Sequence, residues 1–287
     1  MRVEYEVAVV GAGPGGCVAA ERLARAGLSV CLLDAKAPPR YKTCGGGIVG
    51  RVRRRLPVDI GDCVEQEYFA ADIGLLDRDR TLTVARDRPL VSMVMRAAFD
   101  ALLARAAEDQ GAALRAPERV VGLDRENGRV TLTTSSARIT ANVVIAADGA
   151  PSPIARLAGW PVNPHVIPAL EEELPVSREV FSAFRSRPRF DFDIPPDGYA
   201  WVFPKASHLS VGVLSTGRGA PMPDTLDRYL SRLGLAPAPD CANARTRHGY
   251  VIPVAPRPGP LGRDGVLLVG DAAGFADPVT AEGISNA

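Results

Sequence analysis

The chain has 287 residues, with 34 lysines and arginines against 33 aspartates and glutamates, a net charge of +1 at pH 7. That length can carry two packed domains, and the near-zero balance excludes the global basic field that nucleic-acid binding requires. No uninterrupted apolar stretch reaches the roughly 20 residues of a bilayer-spanning helix.

In chain order, the first element is the valine-rich run Tyr5 to Val10, which predicts a buried parallel strand. It leads into Gly11-Ala-Gly13-Pro-Gly-Gly16. Gly11 permits the tight turn, Gly13 lets backbone approach a pyrophosphate, and Gly16 lets the next helix pack close to the strand. That helix is expected to turn Val18, Ala19, the stem of Arg22, Leu23 and Ala26 inward and to stop at Gly27. Its N-terminus would offer free N–H groups and the positive end of a dipole to phosphates. A second strand, Ser29 to Leu33, ends at Asp34, whose carboxylate suits ribose hydroxyls and would repel a 2′-phosphate. Strand, glycines, helix and acid together predict a dinucleotide site, without separating NAD from FAD.

A glycine-rich loop, Tyr41-Lys42-Thr43-Cys44-Gly45-Gly46-Gly47, follows. By its residues alone Cys44 reads first as a small buried hydrophobe, and second as a contact or proton-transfer group. Arg51 to Arg55 form a basic cluster on a helix; the plain reading is a solvated face, the sharper one an anionic membrane surface or a substrate phosphate. Short strands are expected around Tyr68 to Leu76 and Thr81 to Val84. Arg96 opens a helix that carries Phe99, Leu102, Leu103 and Ala106 on one face. Val143 to Ala147 is another buried strand, ending in Asp148-Gly149.

Ala200 to Phe203 and Leu209 to Leu214 predict neighbouring strands with a turn at Lys205 to His208, both of which are expected at the surface. Trp201 and Phe203 alternate onto one face. The strand Val266 to Val269 then meets Gly270-Asp271-Ala272-Ala-Gly274. Free N–H groups and little side-chain bulk suit a ribityl chain and phosphate, with Asp271 on a ribityl hydroxyl. Pro278 and Glu282-Gly283 are expected to open a helix pointing its N-terminus at the flavin pyrimidine edge. The first, Asp148-Gly149 and Gly270-Asp271 pieces, in that order, choose FAD.

With these residues in view, the chain resembles the geranylgeranyl reductase family, a branch of the flavoproteins that also contain p-hydroxybenzoate hydroxylase. The resemblance covers essentially the whole chain. It rests most on Pro38-x-x-Tyr41-x-Thr43-Cys44-Gly45-Gly46-Gly47, Gly198-Tyr199-x-Trp201-x-Phe203-Pro204-Lys205, and Gly270 to Gly274 with Pro278, Thr280, Glu282 and Gly283. Thr43 stands where family members carry Trp or Pro, and Ala281 where they carry Gly. Gly274 replaces the His usual in aromatic hydroxylases, which favours a reductase over the monooxygenase alternative.

The resemblance implies an α/β fold: a Rossmann-type FAD-binding domain with a parallel sheet, interleaved with a mainly antiparallel substrate-binding sheet. Residues 1–55, 90–158 and 257–287 would form the first domain, and 56–89 with 159–256 the second. It adds Gly45, Gly46 and Arg96 as FAD contacts, places Cys44 at the reactive face of the flavin, and makes Tyr41, Trp201 and Phe203 the wall of an apolar substrate tunnel. The implied reaction reduces isolated C=C bonds of a polyprenyl chain, with NAD(P)H or reduced ferredoxin as transient donor, since no second nucleotide fingerprint is present. A polyprenyl lipid substrate implies peripheral contact with a membrane. Family members continue with a C-terminal region beyond Ala287, so weak activity, or a non-catalytic flavin-binding chain, is a further expectation. Cys17, Cys31, Cys44, Cys63 and Cys241 have no metal-ligand spacing, so no metal is expected; their odd number predicts reduced thiols in a cytoplasmic setting.

Overall fold

The computed structural model describes residues 2–217, 221–235 and 246–287; Cys241 lies outside them. Strand β1 (Arg2–Val10) feeds helix α1 (Pro14–Arg25) and strand β2 (Val30–Leu33). Then come β3 (Gly47–Val49), the one-turn α2 (Gly50–Arg53), β4 (Val64–Tyr68), β5 (Ala70–Leu75), β6 (Arg80–Ala85) and β7 (Val91–Val94). Helix α3 (Arg96–Asp109) precedes β8 (Ala113–Arg115), β9 (Val120–Glu126), β10 (Arg129–Thr134), β11 (Arg138–Ala146) and α4 (Pro153–Leu157). The chain continues through β12 (Val166–Leu174), α5 (Arg178–Phe184), β13 (Arg189–Phe192), β14 (Gly198–Pro204), β15 (Leu209–Ser215) and α6 (Met222–Arg232). It closes with β16 (Thr246–Pro253), β17 (Gly262–Arg263), β18 (Val266–Leu268) and α7 (Gly270–Ala273).

Among the described residues, the strands form three sheets. In the first, β18, β11, β1, β2 and β8 lie side by side and parallel. The edge of β11 is shared: its first half pairs antiparallel with β10 and its second half with β18. Val7, Val9 and Leu32 face α1 and α3, while Ala8, Val10 and Leu33 face the opposite layer with Ile154 and Trp160. Burial on both faces explains the unbroken valine run. Helix α1 ends as the sequence predicts, with Gly27 at φ +89° and Gly27 and Leu28 N–H groups returning to the Ala24 and Leu23 carbonyls. Its inward face is rotated from the expected one: Gly16, Cys17, Ala20, Glu21 and Ala24 are buried, whereas Arg22 and Ala26 are exposed. Small residues face the sheet because Gly16 draws the helix against Gly11.

The second sheet has the order β16-β12-β15-β14-β13-β5-β6, antiparallel except where β13 meets β5. Its outer face buries Leu174, Val202, Val211 and Val213 against Leu226, Tyr229 and Leu230 of α6. Its inner face carries Tyr199, Trp201 and Leu214. A third, three-stranded sheet, β3-β7-β4, joins the two. Val64–Tyr68 therefore pairs with β7 rather than with the seven-stranded sheet. Beyond Gly283 the structure has one 3-10 turn, Ile284–Asn286, in place of the expected α-helix. Among the described residues, no helix is long and apolar enough to cross a membrane.

Candidate functional site

The carboxyl ends of β1, β2, β11 and β18 are adjacent, and each delivers one of the glycine or acid motifs: Gly11, Asp34, Asp148 and Gly270-Asp271. Sequence separations of more than a hundred residues collapse to neighbouring strand ends, where open α/β sheets bind ligands. Backbone bonds from Gly11 to Leu33, Ala147 to Val10 and Val269 to Ala146 hold these ends in line.

A cavity of about 1200 Å³ runs from these ends to the inner face of the seven-stranded sheet. That exceeds the roughly 300–1,000 Å³ of a typical site for one small molecule. Gly13, Pro14 and Gly15 line it at the start of α1, where no side chain caps the helix. A Cβ on Gly13 would meet no atom within 4 Å, so this backbone stands open to the cavity. A Cβ on Gly16 would fall 1.9 Å from the Gly11 carbonyl oxygen, which makes Gly16 a packing residue behind the site.

Asp34 is buried, and its Oδ2 accepts from the Ala12 N–H at 2.8 Å and from Arg40 Nε at 3.1 Å. Its Oδ1 accepts from the Lys36 N–H, and a carboxylate oxygen retains a second acceptor site for a hydroxyl. Arg40 also pairs with Asp100 at 3.0 Å, and Asp100 with Arg96 at 2.8 Å. Arg96 thus ends a chain of four charges that begins at Asp34, all buried except the partly buried Arg40. Burial works against its charge, but Asp100 and Cys44 hold its pKa well above the ordinary arginine value.

Asp148 lines the cavity, yet its carboxylate serves the protein: it accepts from Ser152 Oγ at 2.6 Å and from the Ile154 N–H at 2.9 Å, capping α4. Gly149 follows at φ +81°. Asp271 accepts from the Tyr250 hydroxyl at 3.1 Å, and Tyr250 in turn accepts from the Ala150 N–H. Lys42 places its ammonium 3.3 Å from the Tyr250 ring centre; burial and the neighbouring Arg96 push its pKa down.

The Cys44 loop separates the two halves of the cavity. The Cys44 Sγ accepts from the Gly46 N–H at 3.4 Å. Gly45 lies against the Phe203 ring, where a Cβ would approach to 2.7 Å, and Gly46, at φ +70°, lies against the Val94 carbonyl. Lys205, expected at the surface, is buried beneath this loop and donates to the Gly45 carbonyl at 2.6 Å and the Val94 carbonyl at 3.0 Å. Burial lowers its pKa. His208 is half-buried, and its Nε2 has no partner among the described residues.

The far wall is aromatic. Phe190, Tyr199, Trp201 and Phe203 stand in sequence with ring centres 5.1 to 6.1 Å apart. Gly212 beside them has no room for a Cβ, which would meet Trp201 at 2.1 Å. Tyr41 stands at the rim, its ring 4.2 Å from His248. Glu282 and Gly283 also reach the cavity, with Glu282 paired to Arg51 at 2.9 Å. Arg53 pairs with Glu67 and Asp59, so two arginines of the 51–55 cluster are already matched to carboxylates.

The structure thus gathers Gly11, Gly13, Asp34, Cys44, Gly45, Gly46 and Arg96 with Gly149, Gly270, Asp271, Trp201 and Phe203 around one space. It does not bring Gly16, Ala272, Gly274 or Pro278 to that space. Ala272 is buried, Pro278 is exposed, and Gly274, at φ +89°, is held by the Ala255 carbonyl, 2.2 Å from where its Cβ would be. Lys42, Glu171, Lys205 and Gly212 escape the sequence reading. The signal for Glu171 was the period-two alternation of Glu171-Glu172-Glu173 in a strand, which sends the middle acid to the other face.

Open helix-terminal amides, a carboxylate at the end of β2 with acceptor capacity left over and a glycine-lined floor fit FAD, and FAD-binding character is what comparison with known proteins returns. A family model described as "FAD binding domain" matches residues 4–287. The chain is 32% identical over 301 residues to the geranylgeranyl diphosphate reductase of Rhodobacter capsulatus, covering 98% of this chain and 72% of that protein. It is 30% identical over 315 residues to the digeranylgeranylglycerophospholipid reductase of Methanoculleus marisnigri, covering 100% of this chain and 74% of the other. The crystal structure of a geranylgeranyl bacteriochlorophyll reductase-like protein from Thermoplasma acidophilum superposes with a TM-score of 0.85 at 26% identity, over 100% of this chain and 75% of that one.

Proposed function

Because the chain belongs to the geranylgeranyl reductase family of FAD-dependent oxidoreductases, we propose that it saturates isolated C=C bonds in a polyprenyl chain. The observation that carries this reading is the continuity of one cavity from the glycine-lined strand ends to the aromatic wall of Phe190, Tyr199, Trp201 and Phe203. A polar cofactor end and an apolar substrate end meet at the Cys44 loop.

In this reading the N-terminal amides of α1 hold the pyrophosphate, Asp34 takes the adenosine ribose, and Asp271 takes a ribityl hydroxyl. Arg96, kept cationic by Asp100, lies beside the loop at the flavin end. When bound and reduced, FAD supplies the hydride. The protein's share is to orient the alkene against the aromatic wall and to exclude water around it. Cys44 is the loop side chain at the boundary, either as a contact or as a proton relay. NAD(P)H or a reduced ferredoxin reloads the cofactor in a transient encounter, and a lipid substrate is met at a membrane surface.

The test is anaerobic. The purified chain is expected to show flavin absorbance, to bleach on chemical reduction, and to regain colour when geranylgeranyl diphosphate is added, with a saturated product by mass spectrometry. A reduced flavin that regains colour only with oxygen would count against C=C reduction and for the monooxygenase alternative.

A further inference from the structure

One row of side chains crosses the inner face of the seven-stranded sheet. His248, Glu171, Gly212, Trp201, Phe190 and Ile73 are successive register partners on β16, β12, β15, β14, β13 and β5. Glu171 is the only carboxylate in this row. It is 2% exposed and lines the cavity. Its Oε1 accepts from Ser210 Oγ at 2.7 Å, while its Oε2 is buried with no hydrogen-bond partner among the described residues.

An ionised carboxylate would leave Oε2 desolvated and undonated, a costly state. A neutral carboxyl turns the same oxygen into an O–H donor beside the cavity. Burial raises the Glu171 pKa, and the charge of Glu173 adds to the rise; the Ser210 hydrogen bond, the Lys205 charge and the Cys44 backbone N–H oppose it. Tyr41, His248 and the Cys44 thiol are the other titratable groups around it. In the same row stand the aromatic rings, whose faces stabilise developing positive charge.

We propose that neutral Glu171 is the acid that protonates the alkene of the polyprenyl substrate. The assignment rests on the functional reading given above. The Oε2–H bond breaks, and its proton forms a C–H bond with the less substituted alkene carbon through the π pair. The charge that develops on the other carbon is shielded by the aromatic wall and is met by the hydride equivalent of reduced FAD. The alkene is reduced and the cofactor oxidised. Glu171 is left as a carboxylate with Ser210 donating to it, and it regains its proton from water before the next turnover.

Two measurements test this. In infrared difference spectra between acidic and alkaline buffer, the oxidised protein should show a neutral-carboxyl band at neutral pH that is missing in Glu171→Gln. In anaerobic single turnover with geranylgeranyl diphosphate, Glu171→Gln should slow flavin reoxidation by about 10²–10⁴-fold, with flavin content and chemical reduction unchanged. The wild-type rate should fall as pH rises through the Glu171 pKa, and the variant should lack that limb. Ser210→Ala, which removes the donor that lowers this pKa, should move the limb to higher pH; this variant serves if Glu171→Gln does not fold. Absence of the band in the wild type, or wild-type reoxidation by Glu171→Gln, overturns the proposal. A band without any reoxidation by the polyprenyl substrate indicts the proposed substrate and removes the alkene from this scheme. Reoxidation without a band indicts Glu171 alone.

Discussion

Gly13 and Gly16 share one motif and separate under substitution. Gly16 has no room for a methyl group against the Gly11 carbonyl. Gly16→Ala should therefore lose about 1–3 kcal/mol by overpacking, seen as a lower calorimetric Tm even without cofactor. Gly13 has φ −85° and open space where its Cβ would lie, so Gly13→Ala should keep its Tm in the cofactor-free protein and lose bound FAD. The ratio of flavin to protein absorbance, set beside the two melts, separates a packing glycine from a binding one; equal behaviour would contradict the assignment. Both glycines were legible because their roles follow from a local strand–turn–helix. Lys205 was not. Its two acceptors lie 160 and 111 residues away in sequence, and a lysine at a hairpin turn reads as a solvated group until those carbonyls are brought to it.

At the scale of elements, α3 is fastened to β2 and the Cys44 loop by charge. Asp100 is 1% exposed and sits between Arg40 and Arg96. Asp100→Ala would leave Arg96 buried beside no carboxylate, a change that costs roughly 3–5 kcal/mol. The exposed pair Arg138–Asp124, at 3.8 Å, is the control: Arg138→Ala should cost about 0–1 kcal/mol. Denaturant unfolding checks both, and comparable losses would mean that the four-charge chain does no more than a surface pair. The helix itself was legible from Phe99, Leu103 and Ala106. The inner face of α1 was read in part: Ala19 and Leu23 do pack against the core, but Arg22 and Ala26 are exposed, and the close approach set by Gly16 turns Cys17, Ala20 and Ala24 to the sheet instead. Likewise, the strand expected from the sequence begins at Tyr68 and passes over Val64–Tyr68, whose partner β7 lies more than twenty residues further on.

Over the whole molecule, the convergence of the four motifs on one cleft was legible because each sits at the end of a hydrophobic strand, and parallel sheets bring such ends together. The aromatic wall was half legible: Trp201 and Phe203 show their alternation, but the alignment of Glu171 with them depends on register across β12, β15 and β14, which no single strand encodes. Since one cavity touches all three sheets, a ligand filling it stabilises the fold as a unit. Added FAD at about a hundred times its Kd should raise stability by about 2.7 kcal/mol. Calorimetry should show a single transition moving upward with FAD concentration; a second transition that ignores FAD would mean the sheets melt separately.

The placement of β18 has a consequence for biogenesis. The strand that carries Gly270-Asp271 pairs with β11 more than a hundred residues after β11 has been made. During synthesis the first sheet therefore exists for some time with β11's second half as an open edge, and a nascent chain exposes such edges to wrong partners. On the proposed reading, cofactor loading is a late event for this chain: Gly11 to Asp34 emerge from the ribosome first, and Gly270-Asp271 arrive only when the last parallel strand closes the sheet.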